Sequence, residues 1–244
     1  MWYFRVFLLS IGFFFTILTM AFGQTDSLAA DFTREILIAI SEEEYGMDDL
    51  LVNGIRYQPE KIGSEGSPYF DWNVSAASGL FIKGQLFPDV DLLYDITTDQ
   101  LILDKNLEHG YKLQVVLDPI AIDSFYLGNH FFINLPVKEK NTAIKGYYEK
   151  IYSGRELFLK KYSKDYIKIY DKSNRGKFSP QRQVCYIYSH GSLFRVNSKM
   201  AFLDFYDAKK KEIRAFMKRN KIRYGSATNE ELFRLLTFCH AQEE

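Results

Sequence analysis

The sequence predicts a mainly β, α+β chain: an antiparallel meander, sandwich or partial barrel with a short N-terminal helix and a small C-terminal helical cluster. Three observations predict it. From Leu51 to Leu135 apolar residues recur with period two, in runs of about five to eight residues. The linkers between runs, such as Thr97-Thr98-Asp99 and Gly128-Asn129, carry turn chemistry and are too short for the crossover helices of a parallel sheet. After Ser198 the apolar spacing becomes helical.

Arg5 is the single charge ahead of an uncharged run from Val6 to Gly23, and Ala21 and Gly23 supply the small residues of an A-x-G cleavage site. That order predicts a secretory signal peptide over residues 1–23. An uncleaved membrane anchor is the alternative, because the run approaches the ~20 residues that span a bilayer. No later apolar run is that long, so no transmembrane segment is expected after cleavage. Ser27 to Glu44 then reads as a short helix with Leu28, Phe32, Ile36 and Ile40 on one stripe, capped by Ser27 or Asp31. Within it, Glu35 to Ile40 could instead be a buried strand.

The expected strands are Val52–Tyr57, Gly79–Lys83, Val90–Ile96, Gln100–Asp104, Tyr111–Leu117, Ile120–Leu127 and His130–Leu135. Gly146–Tyr152 and Glu156–Tyr162 flank Ser153-Gly154, a hairpin signal. Asp165–Tyr170 adds a further strand, and polar Asp171–Arg182 reads as an exposed loop. Val184–Tyr188 and Leu193–Val196 flank His190-Gly191, a second hairpin. Ser198 caps a short helix through Met200, Leu203 and Phe205. Asp207 caps another, with Ile213, Phe216 and Met217 inward. Thr228-Asn-Glu-Glu231 is a capping box for a last helix carrying Leu232, Leu235, Leu236 and Phe238. The expected organisation is a signal peptide at 1–23, a β-rich domain at 24–197 and a helical segment at 198–244 packed on it.

With 17 Tyr and 21 Phe, the composition belongs to a chain with a packed core. The formal charge of zero hides a split. Residues 24–137 hold 6 Lys/Arg against 19 Asp/Glu, and residues 138–223 hold 23 against 8. Either the basic half meets an anionic lipid or glycan, or the two halves dock and neutralise each other. Nucleic acid is not expected, given export and the lack of any recognition motif.

Cys185 and Cys239 could pair outside the cytoplasm, or stand as two buried thiols. Neither belongs to a C-x-x-C motif and no His lies at ligand spacing, so no metal and no cofactor is expected. None of His109, His130, His190 and His240 accompanies a nucleophile elbow, and there is no G-x-S-x-G. Asp89, Asp91, Asp95 and Asp99 are the densest carboxylates, but the EF-hand glycine is missing, and their alternation with Val90, Leu92, Tyr94 and Ile96 suits a half-buried strand. A helical C-terminus argues against an outer-membrane barrel.

The segments Leu51–Tyr57, Gly66–Phe70, Val90–Ile96 with Gln100–Leu103, Gly146-Tyr-Tyr-Glu149 and Lys209–Lys221, in this order, resemble a family of uncharacterised exported proteins of Bacteroidota-type bacteria. The resemblance covers most of the mature chain. It implies location and architecture and transfers no catalytic residue.

No catalytic residue is assigned. Lys210, Arg214, Lys218 and Lys221 fall on one helical face and are the candidate contact to an anionic surface; the plainer account is the solvated back of an amphipathic helix. Tyr69, Phe70 and Trp72 are candidates for stacking on a sugar. The expected function is a non-catalytic binding or accessory module of the periplasm, cell surface or outer membrane, with an envelope protein or glycan as partner. The alternatives are an Asp/Glu-dependent hydrolase of envelope glycans and a peripheral envelope protein held by its basic helix.

Overall fold

The computed structural model describes residues 55–58, 63–71, 77–106, 112–135, 146–169 and 176–241, all within one compact unit, Gly54–Glu244. The expected leader, the helix at Ser27–Glu44, Trp72 and His109 lie outside the described residues.

The strands are β1 (Ile55–Arg56), β2 (Ser78–Ile82), β3 (Gln85–Pro88), β4 (Leu92–Asp95), β5 (Gln100–Asn106), β6 (Lys112–Val116), β7 (Ile122–Leu127), β8 (His130–Leu135), β9 (Gly146–Ser153), β10 (Leu157–Ser163), β11 (Tyr166–Lys168), β12 (Gly176–Phe178), β13 (Arg182–Ser189) and β14 (Ser192–Arg195). Three helices follow: α1 (Lys199–Phe205), α2 (Lys210–Arg219) and α3 (Asn229–His240). A four-stranded sheet runs β1-β6-β5-β4 and an eight-stranded sheet runs β14-β13-β10-β9-β8-β7-β2-β3, with β11-β12 as a separate ribbon. Every strand ladder is antiparallel and the sheets do not close into a barrel.

The large sheet carries one row of paired residues, Phe125–Phe132–Glu149–Lys160–Cys185, on a single face. The two ends of that row bury against different partners. At one end Phe125 and Phe132 stack at 4.8 Å and meet Tyr94 of the small sheet at 5.5 and 5.3 Å. Each such ring contributes about 2–3 kcal/mol of burial. At the other end Phe158, Cys185 and Ile187 pack under the C-terminal helices, against Phe202, Ile213, Met217, Leu235 and Leu236. The seam between them is polar. Buried Glu149 accepts from Tyr162 Oη (2.5 Å), His130 Nδ1 (2.6 Å) and Asn229 Nδ2 (3.0 Å), while buried Lys160 donates to Asn229 Oδ1 (2.6 Å). Asn229, the first residue of α3, thereby ties the helical cluster to the sheet.

The β9–β10 ladder ends at Glu149–Lys160, although both strands continue on their other partners. Lys161 uses that opening. Its Nζ donates to the Tyr147 carbonyl (3.0 Å), which has lost its strand partner, and to Asp99 Oδ1 (2.5 Å). Asp99 closes the β4–β5 turn with φ +61° and also accepts from Tyr94 Oη at 2.6 Å. Gly146 makes room for it: a Cβ there would lie 1.6 Å from Asp99 Oδ2, and its φ is +118°.

Helix starts follow the sequence rules. Ser198 accepts from the Ala201 amide, and Thr228 with Glu231 forms the reciprocal capping box. Asp207 does not cap α2; it opens a 3-10 turn, Asp207–Lys209, and the helix begins a turn later. Two strands differ from expectation. Gly176–Phe178 lies inside the expected exposed loop yet pairs with β11. β3 follows a two-residue turn, Lys83 (φ +47°) and Gly84 (φ +81°), a type I′ hairpin whose glycine was its only sequence signal.

Gly146→Ala introduces both the clash and a strained backbone, and is expected to lower unfolding stability by about 2 kcal/mol. The urea midpoint should fall at unchanged slope. An unchanged midpoint for Gly146→Ala would contradict the tight approach of Asp99.

Candidate functional site

A cleft of about 440 Å3 opens where four pieces of chain converge. One wall is β1 with Tyr57 and Gln58. The floor is the β4–β5 turn with Asp95, Thr97, Thr98 and Gln100. The extended segment 63–69 brings Ser64, Pro68 and Tyr69, and the β11–β12 ribbon brings Tyr166 and Phe178.

Each piece is pinned. Asp95 is 3% exposed, and its Oδ1 accepts from the Thr97 (2.8 Å) and Thr98 (3.1 Å) amides, fixing the turn. Its Oδ2 accepts from Tyr57 Oη at 2.9 Å, which brings β1 to the turn. Lys164, 7% exposed, donates to the carbonyls of Ser67 (3.1 Å) and Tyr69 (2.7 Å) and to Asp71 Oδ1 (2.7 Å), anchoring the extended segment. That segment also bonds β12 through Glu65 N to Gly176 O and Phe178 N to Glu65 O, both 3.0 Å.

The walls are aromatic and neutral. Tyr57 and Tyr69 rings lie 6.3 Å apart at 50°, and Tyr166 and Phe178 rings 5.4 Å apart at 60°. Burial, then the Asp95 charge, pushes the Tyr57 phenol far above its ordinary range; burial raises Tyr69 as well. Both remain hydrogen-bonding phenols across physiological pH. Among the described residues, Asp95 is the only carboxylate lining the cleft and Arg56 the only cation.

Of the stacking candidates, Tyr69 lines this cleft. Phe70 does not: it is 4% exposed in the core, with ring contacts to Tyr162 (4.7 Å) and Phe132 (5.2 Å). Tyr57, Tyr166, Phe178 and Arg56 were not singled out from sequence. Their recruitment depends on non-local pairing, and each sits in or beside a strand with no local signature.

A second, shallower groove of about 490 Å3 lies between the β13–β14 hairpin and the start of α2, lined by Glu156, His190, Phe194, Tyr206 and Asp207 among others. Of its carboxylates, Glu156 Oε2 lies 3.0 Å from His240 Nε2 yet is buried without a hydrogen bond, and exposed Asp207 has its Oδ1 4.0 Å from Lys210 Nζ. His190 Nδ1 contacts its neighbour Ser189 Oγ at 2.8 Å, and His130 is held by Glu149.

The basic face of α2 divides. Lys210 pairs with Asp204 as well as Asp207. Arg214 and Lys218 are exposed on α2, whereas Lys221, expected on the same face, lies past the end of the helix at φ +56°, also exposed; none forms an ion pair among the described residues, and Arg214 reaches only Met200 Sδ at 3.9 Å. Part of the charge split is nonetheless docked, because Lys161–Asp99 and Lys164–Asp71 join the basic half to the acidic one. Cys185 and Cys239 are both buried in one core cluster. Burial pushes the Cys185 thiol up. No helix among the described residues is long and apolar enough to cross a membrane. No known protein family, curated protein or solved structure matches the chain.

Proposed function

We propose that the chain is an exported protein of the bacterial envelope acting as a non-catalytic binding module, with the aromatic cleft as its site for an envelope glycan. Export rests on Arg5, the uncharged Val6–Gly23 run and the A-x-G site. Binding without catalysis rests on one observation: Asp95, the single carboxylate lining the cleft among the described residues, already accepts three hydrogen bonds. A glycosidase needs two carboxyls across a cleft, one free to give or take a proton. Aromatic walls interleaved with Gln58, Thr97, Thr98 and Gln100 suit a ligand with apolar ring faces and many hydroxyls.

The mature protein should be retarded in a native gel containing soluble glycan extracted from its own envelope. Tyr69→Ala, with its thermal midpoint checked, should weaken that retardation at least about tenfold. No reducing ends should appear during incubation. Release of new reducing ends would overturn the reading in favour of the hydrolase.

The basic helix supports a second role, peripheral attachment through exposed Arg214, Lys218 and Lys221. On that reading the protein co-sediments with phosphatidylglycerol-rich vesicles at about 0.02 M salt and is released by about 0.5 M, as screening requires. Arg214→Glu with Lys218→Glu should abolish it. Sedimentation that ignores salt would rule the attachment out.

A further inference from the structure

Among the described residues, Arg56 is the one charged group lining the cleft without work to do. It sits on β1, is exposed, and makes no side-chain hydrogen bond or ion pair among the described residues, yet it lines the same cleft as Tyr57, Tyr69 and Tyr166. Asp95, the opposite charge, is buried on the floor and already accepts from Thr97, Thr98 and Tyr57. Asp95 therefore has little capacity left for a ligand, while all five guanidinium donors of Arg56 remain available. A planar guanidinium fork beside ring-stacking walls matches a carboxylate carried on a sugar ring.

We propose that the cleft recognises an acidic oligosaccharide, with Arg56 receiving a uronate carboxylate while the tyrosine walls hold the pyranose faces. This rests on the binding-module reading above and specifies its ligand. A phosphate-bearing ligand fits less well: such sites gather several cations or a helix N-terminus, and the described lining contains one cation and no helix. A peptide strand fits less well too. Along β1 the backbone is already paired on β6, through Ile55–Val116, Arg56–Val115 and the Tyr57 N–H to the Gln114 carbonyl at 2.9 Å, and the side chains facing the cleft are not the apolar anchors a peptide strand would use. The other polar side chains lining the cleft, Gln58, Ser64, Thr98 and Gln100, are neutral hydrogen-bonding groups.

The test is calorimetric titration of the mature protein with oligomers of galacturonate, glucuronate, mannuronate and guluronate. Each is paired with its carboxyl-reduced counterpart, which keeps the ring and loses the charge. At least one acidic oligomer should bind more than about tenfold tighter than its reduced form, the discrimination one charge-assisted bidentate contact supplies. Arg56→Gln should erase that preference, so that acidic and reduced forms bind alike, and Arg56→Lys should retain only part of it. Because Arg56 is exposed, neither variant should disturb folding. Equal binding of acidic and reduced forms, both lost in Tyr69→Ala, would overturn the acidic assignment and leave the binding-module reading intact. A preference that survives Arg56→Gln would also overturn it. Failure of every oligomer, acidic and reduced, to bind would sink both.

Discussion

The cleft depends on two lysines at the far end of β10. Lys161 plugs the gap where β9 and β10 part and holds Asp99, the last residue of the β4–β5 turn. Lys164, three residues on, holds the segment that carries Tyr69. Both are largely buried; for Lys161, burial lowers the ammonium pKa, with Asp99 opposing it. Withdrawing one partner of such a pair leaves an uncompensated charge, at a typical cost of about 3 kcal/mol. The contacts are therefore weak evidence for net stability but strong constraints on geometry. Each ties a loop from the acidic half of the chain to β10 or the residue just after it in the basic half, and the two loops supply the floor and one side of the same cleft. Gly146 belongs to the same constraint, because any side chain there would displace the Asp99 carboxylate.

Much of this architecture was legible in the chain. Period-two runs marked most strands of both sheets, and capping chemistry at Ser198 and Thr228 marked two helix starts. What escaped was set by non-local pairing. β12 looks like polar loop because Gly176-Lys177-Phe178 has no alternation long enough to read; only its ladder to Tyr166–Lys168 makes it a strand. Asp207 has the chemistry of a cap, but the local chain tightens into a 3-10 turn and its carboxylate faces Lys210 instead. Asp95 looked like a solvent-side residue of an alternating strand, yet it is buried, because the turn amides and Tyr57 supply its partners.

The candidate site was less legible than the fold for the same reason. Tyr69 could be singled out, since it lies in an aromatic cluster between turn residues. Arg56 and Tyr166 are more than a hundred positions apart and carry no shared motif. The basic helix, the sharpest feature of the sequence, divides once folded: Lys210 is spent on Asp204 and Asp207, while Arg214, Lys218 and Lys221 stay in solvent. Charge alone could not separate the two groups.

The central claim is that the cleft is preassembled by these buried contacts before any ligand arrives. Amide hydrogen exchange on the ligand-free protein tests it directly at Thr97 and Thr98, whose N–H groups donate to Asp95. The account predicts slow exchange at both, and acceleration of roughly tenfold or more in Lys161→Met under conditions where the core of α3 still exchanges slowly. Exchange at exposed-loop rates in the parent protein, or rates unchanged by Lys161→Met, would contradict it.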